Sequence, residues 1–162
     1  MKKIGIVTDS HSSISQEEAE KLGIFVLPMP FYIDGECFYE SVTLSRELFF
    51  EKLAAGADTT TSQPSPTAVM EIWDKALEQF EKILYLPISS GLSGSYETAM
   101  MLAKDEAYEG RVLVVDDGQV AAPLHQMVLD TLDMIEKGYE AEQIRDLLER
   151  AGDRMMIYIA LQ

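Results

Sequence analysis

The 162-residue chain has few of the residues that build several common kinds of site. It has one cysteine, Cys37, so neither an intramolecular disulfide nor a zinc cluster of cysteines can form. It has two histidines, His11 and His125, which restricts the choice of a base for nucleophilic catalysis. Its 13 basic residues are outnumbered by 28 acidic ones, and the net charge of -15 repels phosphodiesters and anionic lipid headgroups. We therefore expect no nucleic-acid binding, and we attribute most of the charge to solubility.

Long apolar runs are also missing. No stretch approaches the roughly 20 residues of a membrane span, and the apolar run before Thr8 is too short for the core of a signal peptide. We predict a cytoplasmic protein without a membrane span. Apolar residues nevertheless make up 47% of the chain, which is enough for the packed core of one domain of this length.

Short apolar segments alternate with longer amphipathic ones, a pattern that indicates an α/β fold. We expect a mostly parallel sheet with helices on both faces. Strands are predicted at residues 4–8, 25–27, 83–86, 112–115 and 155–161. Helices are predicted at residues 16–22, 46–55, 96–106, 122–136 and 141–150, with a further helix that begins at Pro66.

Local signals refine several of these boundaries. Ser15, Ser45 and Ser65 are predicted to cap helices, and Glu18 is predicted to complete a capping box with Ser15. The pair Asp34-Gly35 is typical of a tight turn and predicts a hairpin between residues 31–33 and 37–39.

The chain stops directly after an apolar segment, MMIYIAL at residues 155–161. Natural termini are usually polar and exposed. We therefore expect the chain to be part of a longer protein.

Three polar segments, residues 8–13, 59–66 and 89–96, follow predicted strands or open predicted helices. Ligands of parallel sheets usually bind at this edge, where free backbone N–H groups and hydroxyls accept an anion. None of the three segments contains lysine or arginine, which favours a single modest charge such as a carboxylate. For any one segment, helix capping and turn formation explain the hydroxyls equally well.

The chain resembles the DegV family through five motifs that occur in order. They are TDS at 8–10, VLPMPFYIDGECFYE at 26–40, TSQPSP at 61–66, ISSGLSGSYETA at 88–99 and VLVVDD at 112–117. The resemblance covers essentially the whole chain and implies a protein of two α/β domains that bind a long-chain fatty acid between them. It also implies that residues 1–154 are the N-terminal domain and that residues 155–162 begin a second domain, which is otherwise absent.

The resemblance further implies roles for individual residues. Thr61 and Ser93 are expected to hydrogen-bond the fatty-acid carboxylate, with Ser62 and Ser10 as secondary ligand-binding residues. Some family members are subunits of a bacterial fatty-acid kinase, so the expected partner is a separate ATP-binding kinase subunit that performs the phosphoryl transfer. No catalytic residue, metal or cofactor is expected in this chain. Candidates for the lining of the tail slot are Met29, Phe31, Met100 and Met101, although each is also typical of core packing.

Two other functions remain open at this point. Gly91-Leu92-Ser93-Gly94-Ser95 lies between a predicted strand and a predicted helix, as a nucleophile elbow does, although Ser95 replaces the last glycine of that motif. A serine hydrolase would use Ser93 as nucleophile and His11 or His125 as base. A phosphate-binding domain would use the same segment, but the segment has no basic residue.

Overall fold

The computed structural model describes residues 2–39 and 42–156. Strands and helices alternate along most of it, as predicted. The strands are β1 (Lys2–Asp9), β2 (Phe25–Leu27), β3 (Pro30–Ile33), β4 (Glu36–Tyr39), β5 (Thr59–Thr61), β6 (Phe80–Leu86) and β7 (Val112–Val114). The helices are α1 (Gln16–Leu22), α2 (Arg46–Ala54), α3 (Pro66–Leu77), α4 (Ser95–Leu102), α5 (Ala121–Glu136) and α6 (Ala141–Gly152), and a short 3-10 helix spans Ser10–Ser12.

Four strands form a parallel sheet in the order β2-β1-β6-β7. Successive residues of a strand point to opposite faces, so Ile6 and Val7 of β1 belong to different core clusters. Helices α1, α5 and α6 cover the face of Ile6, and α3 and α4 cover the face of Val7. The predicted α/β fold is confirmed.

The second core cluster is centred on aromatic side chains. Trp73 of α3 is fully buried and packs edge-on against Tyr85 of β6 and Tyr108, with ring centroids 5.5 and 5.2 Å apart. Gly5 of β1 lies under the ring of Phe80, where a Cβ atom would come within 2.5 Å of the ring carbons. Only glycine fits at this position.

Serine hydroxyls begin three of the helices, as predicted. Ser15, Ser45 and Ser65 each accept a hydrogen bond from the backbone N–H three residues on, at 3.1, 3.3 and 3.2 Å. The Glu18 carboxylate does not follow the capping-box prediction. It lies 3.2 Å from His125 Nε2 of α5 and so joins two helices.

The structure corrects two further predictions. Helix α4 ends at Leu102, four residues before the predicted end, because the N–H groups of Lys104 and Asp105 donate to the carbonyls three residues back and the α-helical pattern stops. Residues 59–61, predicted as part of a polar loop, form β5, which pairs antiparallel with β3. Threonine is β-branched and suits a strand once a partner is available.

Strands β3, β4 and β5 make a second, antiparallel sheet in the order β4-β3-β5, and its β3-β4 hairpin is the predicted one. Of the strand predicted at residues 155–161, residues 157–161 lie outside the described residues, and Met155 and Met156 have no regular structure. None of the described helices is long and apolar enough to cross a membrane.

Candidate ligand-binding site

The carboxyl ends of β1 and β6 are joined by Asp9. Its carboxylate is fully buried and accepts the N–H of His11 at 2.9 Å and the N–H of Ile88 at 2.8 Å. Beside it, Thr8 Oγ1 donates to the carbonyl of Leu86 at 2.8 Å. These bonds hold the first and third polar segments of the sequence against each other.

The segment after β7 supports the third polar segment from its other side. Asp116 Oδ1 accepts the N–H of Ser90 at 3.3 Å and the N–H of Gly118 at 3.2 Å. The N–H of Ser89 donates to the carbonyl of Gln119 at 2.9 Å. Ser89 and Ser90, at the start of this segment, are therefore held through their backbone N–H groups.

Ser93 is half-buried just before α4, and its hydroxyl is hydrogen-bonded to one neighbour. Its Oγ lies 2.8 Å from Ser95 Oγ and accepts the backbone N–H of Ser95 at 3.2 Å. Ser95 itself is buried, with 3% of its surface exposed.

Thr61 and Ser62 stand at the end of β5, and both are exposed. Thr61 pairs with Phe31 of β3, and the N–H of Ser62 donates to the carbonyl of Pro30 at 3.3 Å. The Ser62 hydroxyl donates to the carbonyl of Gln63 at 3.2 Å. Pairing with β3 thus sets the direction of the TSQPSP motif.

Gln63 connects this motif to the Ser93 segment. Its Oε1 lies 3.5 Å from Thr98 Oγ1 of α4 and 3.1 Å from the point where a Cβ on Gly94 would stand. The structure therefore brings the segment of Thr61 and Ser62 into contact with the segment of Ser93, although the two are about thirty residues apart in sequence.

An apolar groove of about 610 Å³ lies between the 3-10 helix, the antiparallel sheet and α2. Ser10 and Thr61 line it, and Ser10 Oγ accepts the N–H of Met29 at 3.1 Å. Its apolar walls include Ile14, Val26, Met29, Phe31, Leu44 and Phe49. Ser93 is not among its lining residues.

Two of the four methionine and phenylalanine candidates for the tail slot lie in this groove, namely Met29 and Phe31. The other two are elsewhere. Met100 lines a separate cavity of about 480 Å³ between α4, α6 and β7, and Met101 is 73% exposed.

Asp117, next to the residue that supports the Ser93 segment, is buried. Burial, together with the nearby carboxylates of Asp116 and Asp9, raises its pKa to about 7, although the N–H of Gln119 bonded to Oδ1 opposes the shift. Its Oδ2 has no hydrogen-bond partner within residues 2–39 and 42–156. The Asp117 carboxyl therefore loses its proton near neutral pH.

Both histidines are next to carboxylates. His11 Nδ1 lies 3.3 Å from Asp9 Oδ1, and His125 Nε2 lies 3.2 Å from Glu18 Oε1. Among the described residues, no group of three or more His, Cys, Asp or Glu side chains could hold a metal ion.

The sequence prediction of site residues missed the side chains that hold the candidates in place. Asp9, Asp116, Gln63 and Ser95 all make bonds described above, yet none was predicted as a site residue. The available signal was their position, since each lies inside one of the motifs TDS, VLVVDD, TSQPSP and ISSGLSGSYETA.

Comparison with known proteins places these motifs in one family. The model of the DegV family, described as uncharacterised protein, matches residues 3–162. A DegV domain-containing protein of Deinococcus radiodurans is 36% identical over 148 residues, which cover 91% of this chain and 52% of the relative. One from Caldanaerobacter subterraneus is 33% identical over 144 residues, with 89% and 51% coverage. The chain spans about half the length of the curated relatives it matches.

Solved structures show the same fold. A DegV family protein of Thermus thermophilus, described for its fatty acid binding, superposes with a TM-score of 0.83 at 33% identity, covering 93% of this chain and 54% of its own. A stearic acid-binding protein of Eubacterium ventriosum gives a TM-score of 0.77 at 25% identity, with 92% and 52% coverage.

Proposed function

The chain belongs to the DegV family, and on that basis we propose that it holds a long-chain fatty acid and performs no chemistry on it. The hydroxyls of Thr61 and Ser93 bind the carboxylate, Ser62 and Ser10 contribute secondary contacts, and the tail occupies the apolar groove. No metal or cofactor takes part.

The position of Thr61 is the observation that carries this proposal. Thr61 lines the apolar groove, and the TSQPSP motif that it begins contacts the Ser93 segment through Gln63. A groove lined by both apolar side chains and hydroxyls suits an amphipathic ligand with a single polar head. Its volume of about 610 Å³ is in the range of small-molecule sites, roughly 300–1,000 Å³.

The energetics divide between the two parts of the ligand. Burying a methylene contributes about 0.8 kcal/mol, so a long tail supplies on the order of 10 kcal/mol. A hydrogen bond to a charged group adds only roughly 1.5–3 kcal/mol net. The tail therefore sets the affinity despite the unfavourable net charge of the protein, and the hydroxyls orient the carboxylate and keep it hydrogen-bonded.

We propose that the bound carboxylate is presented to the ATP-binding subunit of a fatty-acid kinase, in the cytoplasm. We also propose that residues 1–154 form an N-terminal domain and that residues 155–162 begin a second one, since the relatives are about twice as long.

The identity of a copurified ligand tests the function. We expect that the full-length protein, purified without added lipid and extracted in denaturing solvent, releases a long-chain fatty acid seen by mass spectrometry in near-stoichiometric amount. Extraction of a bound phosphate compound instead, or failure to bind any fatty acid added in titration, would contradict the proposal.

The serine hydrolase has one structural observation in its favour, since Ser93 lies between β6 and α4 as an elbow serine does. Against it, the hydrogen bonds of Ser93 Oγ within the described residues are with Ser95, and neither histidine is a partner of that oxygen. The carboxylate beside each histidine does not separate the two functions, because a catalytic histidine also has one. We expect no turnover of short acyl esters and no labelling by a fluorophosphonate probe. Labelling of Ser93 that is lost in His11→Ala or His125→Ala would favour the hydrolase.

A further inference from the structure

We infer that Ser95 is a positioning residue that turns the Ser93 hydroxyl into a hydrogen-bond donor and so selects an ionised carboxylate over an alcohol head group. The inference rests on the proposed function, because it assigns the head-group preference of that same site. It concerns a buried side chain that contacts no ligand in the proposal.

A hydroxyl has one proton to donate and two lone pairs to accept. One lone pair of Ser93 Oγ is taken by the backbone N–H of Ser95, 3.2 Å away. Ser95 Oγ lies 2.8 Å from the same oxygen, and either hydroxyl can be the donor on distance alone.

Burial decides the direction of that second bond. Ser95 is 3% exposed, and among the described residues Ser93 Oγ is the hydrogen-bond partner of its hydroxyl. If Ser93 donated, the Ser95 proton would be buried without an acceptor, which costs about 1–3 kcal/mol. Ser93 is half-buried, so its own proton can reach a ligand or water. Ser95 therefore donates and Ser93 accepts.

The consequence is a Ser93 oxygen that already accepts two hydrogen bonds and has only its proton to offer. A donor of this kind suits a carboxylate, which accepts hydrogen bonds and strengthens them by its charge. The two accepted bonds also polarise the Ser93 O–H and make it a better donor. An alcohol head group gains less, because its own proton finds no acceptor on Ser93.

Removing the Ser95 hydroxyl frees one lone pair of Ser93 and leaves the Ser95 N–H bond in place. The test compares the affinities of dodecanoate and 1-dodecanol for the intact protein at pH 7.5, measured by displacement of a fluorescent fatty acid. We expect Ser95→Ala to lower the preference for acid over alcohol roughly 3–10-fold, the value of one neutral hydrogen bond. We expect Ser95→Thr, which retains the hydroxyl, to keep the wild-type preference.

The controls separate positioning from packing. Thr131→Ala removes a buried hydroxyl hydrogen bond in α5, outside the site, and should leave the preference unchanged. In a Ser93→Ala background, Ser95→Ala should produce no further change in preference. If Ser95→Ala is too unstable to purify, Ser95→Cys, which nearly keeps the side-chain volume, replaces it in both comparisons.

The outcomes distinguish this inference from the function on which it rests. Wild-type protein that binds neither ligand would overturn the proposed function. Wild-type protein that prefers dodecanoate, with the same preference in Ser95→Ala, would overturn only the role of Ser95. Equal weakening of both ligands by Ser95→Ala would reduce Ser95 to a packing residue.

Discussion

Thr61 and Ser93 reach the candidate site in different ways. Thr61 is an exposed strand residue whose position depends on pairing with Phe31. Ser93 is half-buried, and its hydroxyl is oriented by Ser95. The loss of either hydroxyl should therefore affect the head group and leave the apolar groove intact.

We predict that Thr61→Ala and Ser93→Ala each weaken fatty-acid binding by roughly 1–3 kcal/mol, as expected for one hydrogen bond to a carboxylate. The double variant should lose less than the sum, because both hydroxyls are proposed to contact one carboxylate. Kinase-dependent phosphorylation of the bound acid should fall further than affinity, since it needs the carboxylate correctly placed. Titration with a fluorescent fatty acid and a phosphorylation assay measure the two effects.

Thr67→Ala, at an exposed position of α3, is the matched control and should change neither measurement. Unaltered affinity and phosphorylation in the double variant would remove both residues from the site.

The raised pKa of the buried Asp117 carboxyl makes the stability of the protein depend on pH. Its pKa rises from 3.8 to about 7 in the folded protein, so folding retains a proton that the unfolded chain releases. The contribution of Asp117 to stability is complete below about pH 4, decreases as the pH rises towards 7, and is constant above that value. An asparagine at this position would remain neutral throughout.

Asp117→Asn should therefore raise the free energy of unfolding above pH 7 by roughly 4 kcal/mol, because one pKa unit corresponds to about 1.4 kcal/mol, and should have little effect at pH 4. Urea denaturation of both proteins at pH 4, 6 and 8 measures the difference. A constant difference across this range would show that the buried carboxyl does not titrate as argued.

At the scale of secondary-structure elements, one contact fixes the end of α6 against the segment after β7. A Cβ atom on Gly152 would come within 2.0 Å of the carbonyl oxygen of Asp117. Backbone atoms cannot rotate away as a flexible side chain can, so the helix would have to shift.

Gly152→Ala should lower the free energy of unfolding by roughly 1–3 kcal/mol, the cost of overpacking, even though alanine favours helix. Gly91→Ala is the matched control for stability, because its Cβ would meet only Ser89 Oγ at 3.5 Å. The midpoints of thermal unfolding of the two variants measure this effect. Equal midpoints would show that α6 packs less closely against Asp117 than the contact implies.

At the scale of the whole molecule, the groove is bordered by one α/β unit, whereas the relatives are about twice as long. If the longer proteins enclose the ligand with their second half, a tail held only by this chain keeps much of its surface in water. If half of a long tail stays in contact with water, the binding free energy is weaker by on the order of 5 kcal/mol, which is more than a thousandfold in affinity.

We therefore predict that residues 1–162 alone bind a fluorescent fatty acid far more weakly than the full-length Thermus thermophilus relative. Parallel titrations under identical salt and pH make the comparison. Similar affinities would mean that the groove described above encloses the ligand by itself.

The sequence by itself determined the elements that depend on chain neighbours. Ser15, Ser45 and Ser65 begin helices because each hydroxyl needs only the N–H three residues further on. The continuous apolar run in β6 predicts a strand buried on both faces, since parallel strands are covered by helices on both sides. Family resemblance then named Thr61 and Ser93, whose roles remain predictions.

Only the tertiary structure decided which distant residues meet. Asp9 accepts the N–H of Ile88, 79 positions away, and β5 forms because β3 supplies the partner for three threonines. The raised pKa of Asp117 arises from burial, from the carboxylate of its neighbour Asp116 and from that of Asp9 at the end of β1. A local pattern carries no information on such contacts, because the order of the strands in the sheet, rather than the order of residues in the chain, determines which carboxyl ends lie together.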